Sequence, residues 1–181
     1  MAFIACTVFY LWIYCTHIVV AKEKPIVFQN GNTKFIQESF KTGCDHDFVE
    51  YFRKVPNSTS LHTFRVVKLA ADFTIDITIK VMKTQRIMYK MEKFKGCDFL
   101  NNPMLTKIFG EAYNSLVVNG SHFKCPIKPN VYYIKTDKML QMIPNIHPPG
   151  RFQLSVRIKM AENKKPFVME ILLRYQIVRI K

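Results

Sequence analysis

The chain is poor in several residue types, and each shortage removes a class of protein. Only 13 of its 181 residues are Asp or Glu, against 27 Lys and Arg, which gives a formal net charge of +14. An acidic tail is therefore excluded. Glycine occurs six times and no segment repeats, which rules out collagen-like and solenoid architectures. Cysteine is scarce as well. Of the five present, Cys6 and Cys15 lie in the first 21 residues, leaving Cys44, Cys97 and Cys125. Three cysteines cannot form a dense disulfide framework, so stability must come from a hydrophobic core, and about 160 residues suffice to bury one.

Catalytic signatures are also missing. No Gly-x-Ser-x-Gly elbow, His-Glu-x-x-His pair or phosphate-cradling glycine loop occurs, so no enzyme activity, cofactor or metal is expected. Beyond the first segment the only histidines are His46, His62, His122 and His147. Cys44-Asp45-His46-Asp47 has metal-ligand residue types, but neighbours in an extended chain point to opposite faces and no second ligand cluster lies nearby. A solvated turn is expected there.

What is present begins with residues 1–21, an apolar run without Lys, Arg, Asp or Glu that ends in Val19-Val20-Ala21. It reads as a secretory signal cleaved after Ala21. The competing reading is an uncleaved membrane anchor, since the run approaches the ~20 residues that span a bilayer. Asn57-Ser58-Thr59 and Asn119-Gly120-Ser121 are glycosylation sequons, with Asn57 and Asn119 as acceptors, and favour the secreted reading. Residues 22–181 then form one secreted domain with no transmembrane span.

Within that domain the apolar period is mainly two. Phe73, Ile75, Ile77, Ile79 and Val81 alternate with polar residues, as do Phe152, Leu154, Val156, Ile158 and Met160. Met169, Ile171, Leu173, Tyr175 and Ile177 continue the pattern in the last segment, Phe167 to Ile180. The first two are half-buried strands, whereas in the last segment Val168, Leu172 and Val178 interrupt the polar side, so partial cover on both faces is expected there. Shorter strands are expected at 26–28, 35–40, 64–69, 87–91 and 131–135. One stretch changes period: Asn102 is a natural N-cap, Pro103 suits the first helical position, and Leu105, Ile108, Phe109, Ala112 and Leu116 follow at helical spacing. The fold expected is mainly β, an antiparallel Ig-like β-sandwich with one amphipathic helix at about 103–117. Its core is either solid or splayed into an apolar cavity, and periodicity does not separate the two.

Lys80, Lys83, Arg86, Lys90, Lys93 and Lys95 form a basic stretch in which Glu92 is the only acid. Two readings stay open for this basic face: lysines that keep a sheet edge from pairing with other chains, or a positive field for anionic lipid headgroups, sulfated glycans, a membrane surface or a receptor. Nucleic acid is not expected, because no reader helix or aromatic-basic ribbon is present.

Three stretches carry a resemblance: Gly96-Cys97-Asp98-Phe99-Leu100 before the expected helix, Asn119-Gly120-Ser121-His122-Phe123-Lys124-Cys125-Pro126 after it, and Pro148-Pro149-Gly150-Arg151-Phe152 opening a strand. Together they resemble a large insect family of small secreted proteins of unknown function that includes relatives of the CheA and CheB chemosensory proteins. That family is regarded as similar to ML lipid-recognition domains, β-sandwiches that hold a lipid between their sheets. The chain departs from the pattern near Cys44, where Tyr51, Phe52, Arg53 and Lys54 stand in place of a second cysteine, and at Lys95, where an acid is common.

The resemblance implies a Cys97 to Cys125 disulfide and leaves Cys44 as a free thiol or an intermolecular bridge. It also implies a secreted, non-enzymatic protein that carries or presents a small hydrophobic ligand, a lipid or pheromone-like molecule, in a chemosensory setting. The pocket would be lined by Phe73, Ile75, Ile77, Ile79, Phe152, Leu154, Val156, Ile158, Met169, Ile171 and Leu173. The alternative is an extracellular interaction protein with a solid core that binds a polyanion or receptor through its basic face.

Overall fold

The computed structural model describes residues 25–102, 113–118, 120–143 and 147–180. The chain runs through β1 (Val27–Asn30), β2 (Thr33–Cys44), β3 (Val49–Lys54), β4 (Leu61–Val66), β5 (Phe73–Val81) and β6 (Ile87–Lys95). A short helix α1 (Gly96–Asn101) follows, then β7 (Asn130–Lys135), a 3-10 helix (Thr136–Met142), β8 (Gly150–Met160) and β9 (Met169–Arg179). All strand pairs are antiparallel. One sheet has six strands in the order β1-β2-β9-β8-β5-β6, and the other has three in the order β3-β4-β7. This is the mainly β, sandwich-like fold that the alternating pattern predicts.

Local chemistry accounts for the elements. Asn30 pairs with Thr33 across a two-residue turn, and Gly31 sits at φ +56°, a conformation open to glycine without a Cβ penalty. The long strands β5, β8 and β9 form where period-two alternation is strictest. Their inner faces hold Phe152, Leu173 and Tyr175 at 1%, 0% and 0% exposure, and their outer faces carry the Arg157–Glu170 and Lys159–Asp76 ion pairs at 2.6 and 2.7 Å.

Several expected boundaries differ. Strand β2 continues past Phe40 to Cys44, because its whole length pairs with β9 around one register shift between Gln37 and Ser39. The Tyr51 to Lys54 neighbourhood belongs to β3, a strand the pattern hid. The Gly96-Cys97-Asp98-Phe99-Leu100 motif is itself helical and forms most of α1. Of the expected helix at 103–117, residues 103–112 lie outside the described residues, and 113–116 are helical. Residues 1–21 and Asn119 also lie outside them. No helix among the described residues is long and apolar enough to cross a membrane.

The two sheets meet through aromatic rings. Phe40 on β2 packs edge-on against His62 on β4, with ring centroids 4.7 Å apart. Within the smaller sheet, Phe64 contacts Phe52 and Tyr132 at 5.5 and 5.4 Å, and it meets Phe123 of the loop before β7 at 5.9 Å. Such edge-to-face, tilted and stacked contacts add to the burial of the rings themselves. At the corner where β2 gives way to β3, the Thr42 hydroxyl donates to the Phe52 carbonyl at 2.8 Å.

Candidate functional site

Register decides which of the expected pocket residues share a face, because residues directly opposite in an antiparallel pair project to the same side. Ile75, Ile77 and Ile79 of β5 stand opposite Ile158, Val156 and Leu154 of β8. Those three in turn stand opposite Met169, Ile171 and Leu173 of β9. Phe73 pairs with Met160, and Phe152 with Tyr175. All eleven expected residues thus share one continuous apolar face across three adjacent strands, and all but Ile77 belong to the core or pack against it.

Their burial is uneven. Phe73, Ile79, Phe152, Met169, Ile171 and Leu173 are buried, whereas Ile75, Ile77, Leu154, Val156 and Ile158 are only partly covered. The five part-covered side chains lie together in the middle of β5 and β8, bounded at one end by Phe73 and Met160 and at the other by Ile79 and Phe152. The opposing sheet has three strands against six, and it meets the larger sheet at β2.

Other residues on this inner face escaped the expected set. Strand β6 extends it with Phe94 opposite Ile75, Met91 opposite Ile77 and Tyr89 opposite Ile79. At the opposite end, Tyr175 lies with its ring stacked 5.6 Å from Phe152 and its hydroxyl 3.4 Å from Nδ1 of His147. Burial pushes the Tyr175 phenol far above its ordinary range and holds the His147 imidazole below the usual His value. Both are neutral packing groups at physiological pH. Tyr175 was visible in the alternation of the last segment; His147 follows a proline-rich turn and has no periodic signal.

Two surface depressions flank the sandwich. One of about 430 Å³ is bordered by Lys54 to Thr59. The other, about 380 Å³, is bordered by Asp72, Phe73, Asp76, Lys93, Lys159 and Met160 among others, and so touches the expected pocket only at Phe73. Burial raises the Asp76 pKa, and the Lys159 ammonium and the Lys93 N–H more than reverse this, leaving the carboxyl below its ordinary value.

Cys97 and Cys125 form a disulfide with Cα atoms 5.5 Å apart. It links α1 to the segment before β7, where Ala70 and Ile127 exchange two backbone hydrogen bonds of 2.9 Å. Within the enclosed loop, the Tyr113 hydroxyl accepts from the Phe123 N–H at 2.9 Å and lies 3.3 Å from the Phe123 carbonyl. His122 is exposed beside the Tyr113 ring. The sequon at Asn57 occupies an exposed turn between β3 and β4, with Asn57 at φ +60°.

The Cys44 to Asp47 segment is less solvated than expected. Asp45 is 5% exposed, and its Oδ1 accepts from the N–H groups of Asp47, Phe48 and Val49 at 3.0 to 3.1 Å. Asn163 Nδ2 donates to its other carboxylate oxygen. Asp45 therefore ties the β2-β3 corner to the β8-β9 connection. Cys44 is a free thiol 3.6 Å from His46 Nδ1. That nitrogen lies 2.7 Å from the Glu50 carbonyl, a contact that requires its proton to point there, so the ring is not oriented to deprotonate the thiol. Among the described residues no three His, Cys, Asp or Glu side chains converge on a possible metal position.

The six basic residues do not share one face. Lys80, Lys90 and Lys95 lie along the paired lengths of β5 and β6, Lys83 sits in the turn between them, and Arg86 lies just before β6. Lys93 occupies a β6 irregularity at φ +55° and donates its N–H to Asp76 Oδ1 at 2.8 Å. Strand β6 is an edge of the large sheet and carries register shifts opposite Ile75/Ile77 and Ile79/Lys80. Lysines and bulges on an edge strand discourage pairing with other chains.

No curated protein matches the chain. The model of a family described as a protein of unknown function, DUF1091, matches residues 73–154, so the chain is similar to that family from the start of β5, through the disulfide-closed loop, into β8.

Proposed function

We propose that the protein is a secreted, non-enzymatic binding module that carries or presents a small hydrophobic ligand between its sheets, as ML-like sandwiches do. The observation that carries this reading is the part-covered stripe of Ile75, Ile77, Leu154, Val156 and Ile158 on a core-facing surface. Aliphatic side chains midway along strands that have a neighbour on both sides are expected to be well buried. Here they are less covered than the residues at both ends of the same strands, which suits a surface completed by an apolar guest.

The chemistry of the stripe sets the ligand class. Five branched aliphatic side chains offer no hydrogen-bond partner, so the guest is a hydrocarbon chain or similar apolar body held by shape and dispersion. No covalent step is involved. The test is displacement of a fluorescent fatty-acid probe in wild type and in Val156→Trp. Saturable binding abolished by the indole, with the melting temperature retained, supports the reading. Absence of probe binding in the wild type, or equal binding in both proteins, would sink it.

A further inference from the structure

The turn between β5 and β6 and the first residues of β6 combine two features that the ligand-binding reading does not use. Ile87, Met88 and Tyr89 are 46%, 38% and 50% exposed. They are consecutive, so the apolar surface wraps the strand rather than occupying one face. Residues 80–90 contain Lys80, Lys83, Arg86 and Lys90 and no acid. Lys90 pairs with Glu92 at 2.9 Å, whereas Lys80, Lys83 and Arg86 meet no carboxylate among the described residues.

We propose that this β5–β6 tip docks the protein on an anionic membrane surface. The two features match the two layers of a bilayer interface: cations meet lipid phosphates and carboxylates, while Ile, Met and Tyr side chains enter the boundary between headgroups and acyl chains. Other occupants fit less well. A sulfated glycan satisfies the cations but leaves three apolar side chains in water. An extended peptide adding to the sheet would need a regular edge, and β6 is interrupted by register shifts and by Lys93 at φ +55°.

Docking here also has a direction. Tyr89 and Met91 stand opposite Ile79 and Ile77, so the exposed tip is continuous with the part-covered stripe on the inner face. On the ligand-binding reading, on which this step rests, a lipid would pass from the bilayer along β6 to the stripe without crossing water.

Flotation of the secreted protein with phosphatidylcholine vesicles, with and without phosphatidylserine, tests the proposal. Binding is expected only to the anionic vesicles. It should weaken roughly thirtyfold or more in the double variant Lys83→Glu/Arg86→Glu, and measurably in Met88→Ser, with unchanged melting temperatures in both because the altered side chains are exposed. Three results would overturn it: no vesicle binding, equal binding to neutral and anionic vesicles, or charge-dependent binding that Met88→Ser leaves intact. The last, with retention on heparin, would assign the tip to a polyanion. Probe displacement in solution separates the two claims: failed flotation with intact probe binding removes the docking alone, and flotation without probe binding removes the ligand alone.

Discussion

Gly96 lies so close to Phe73 that a Cβ added to it would come within 2.0 Å of the phenyl Cε2. The contact fixes α1 against the start of β5 and lets the β6 chain turn directly into the helix. Phe73 is 6% exposed and faces Met160 across the sheet, so its ring has little room to retreat. Gly96→Ala is expected to cost about 1–3 kcal/mol through overpacking, even though alanine favours helices. Chemical denaturation measures this; an alanine variant as stable as wild type would show that the ring can yield.

The Cys97–Cys125 disulfide closes a loop containing the helical turn at 113–116 and the Tyr113–Phe123 contacts. Restricting the unfolded chain by such a loop is worth about 3–4 kcal/mol before strain. Cys97→Ser should therefore secrete poorly and melt several degrees lower. Secretion and melting equal to wild type would remove the disulfide from the stability of the fold.

Burial of His147 couples stability to acid. Because burial holds its folded pKa below the ordinary histidine value of about 6.5, the unfolded chain takes up a proton first as the pH falls. Stability present above about 6.5 is then lost as the pH drops toward the folded value. The melting temperature should fall between about pH 7.5 and about pH 5.5, and His147→Gln should flatten that slope. Parallel slopes for the two proteins would contradict this assignment.

Much of the large sheet was legible because β5 and β8 alternate strictly and β9 does so apart from Leu172 and Val178, and alternation on strands that pair in register gathers the apolar residues on one surface. Strand β3 was hidden by geometry. A register shift between Val49 and Tyr51 leaves Val49 and Phe52 both buried although they are three residues apart, a spacing that fits no period-two pattern. Helix α1 is six residues long, too short for a helical period to declare itself.

The candidate site was legible as a face and not as a space. Periodicity shows that Ile77 and Val156 lie on the apolar faces of their strands, but only the sheet order shows that the opposing sheet has three strands against six. Likewise the charge run from Lys80 to Lys95 was visible, whereas its division into a turn, an edge strand and an irregularity depends on pairings with β5 that composition does not encode. The exposed trio of Ile87, Met88 and Tyr89 looked like an ordinary strand start.

The central claim is that the sheets hold an apolar guest. The most direct measurement is native mass spectrometry of the purified protein, followed by lipid extraction, for wild type and Val156→Trp in parallel. A near-stoichiometric adduct of lipid-like mass is expected on the wild type, extractable into organic solvent and missing from the tryptophan variant. Wild-type protein that carries no adduct, extracts no lipid and takes up no fatty-acid probe would contradict the claim and leave a sandwich with a solid core.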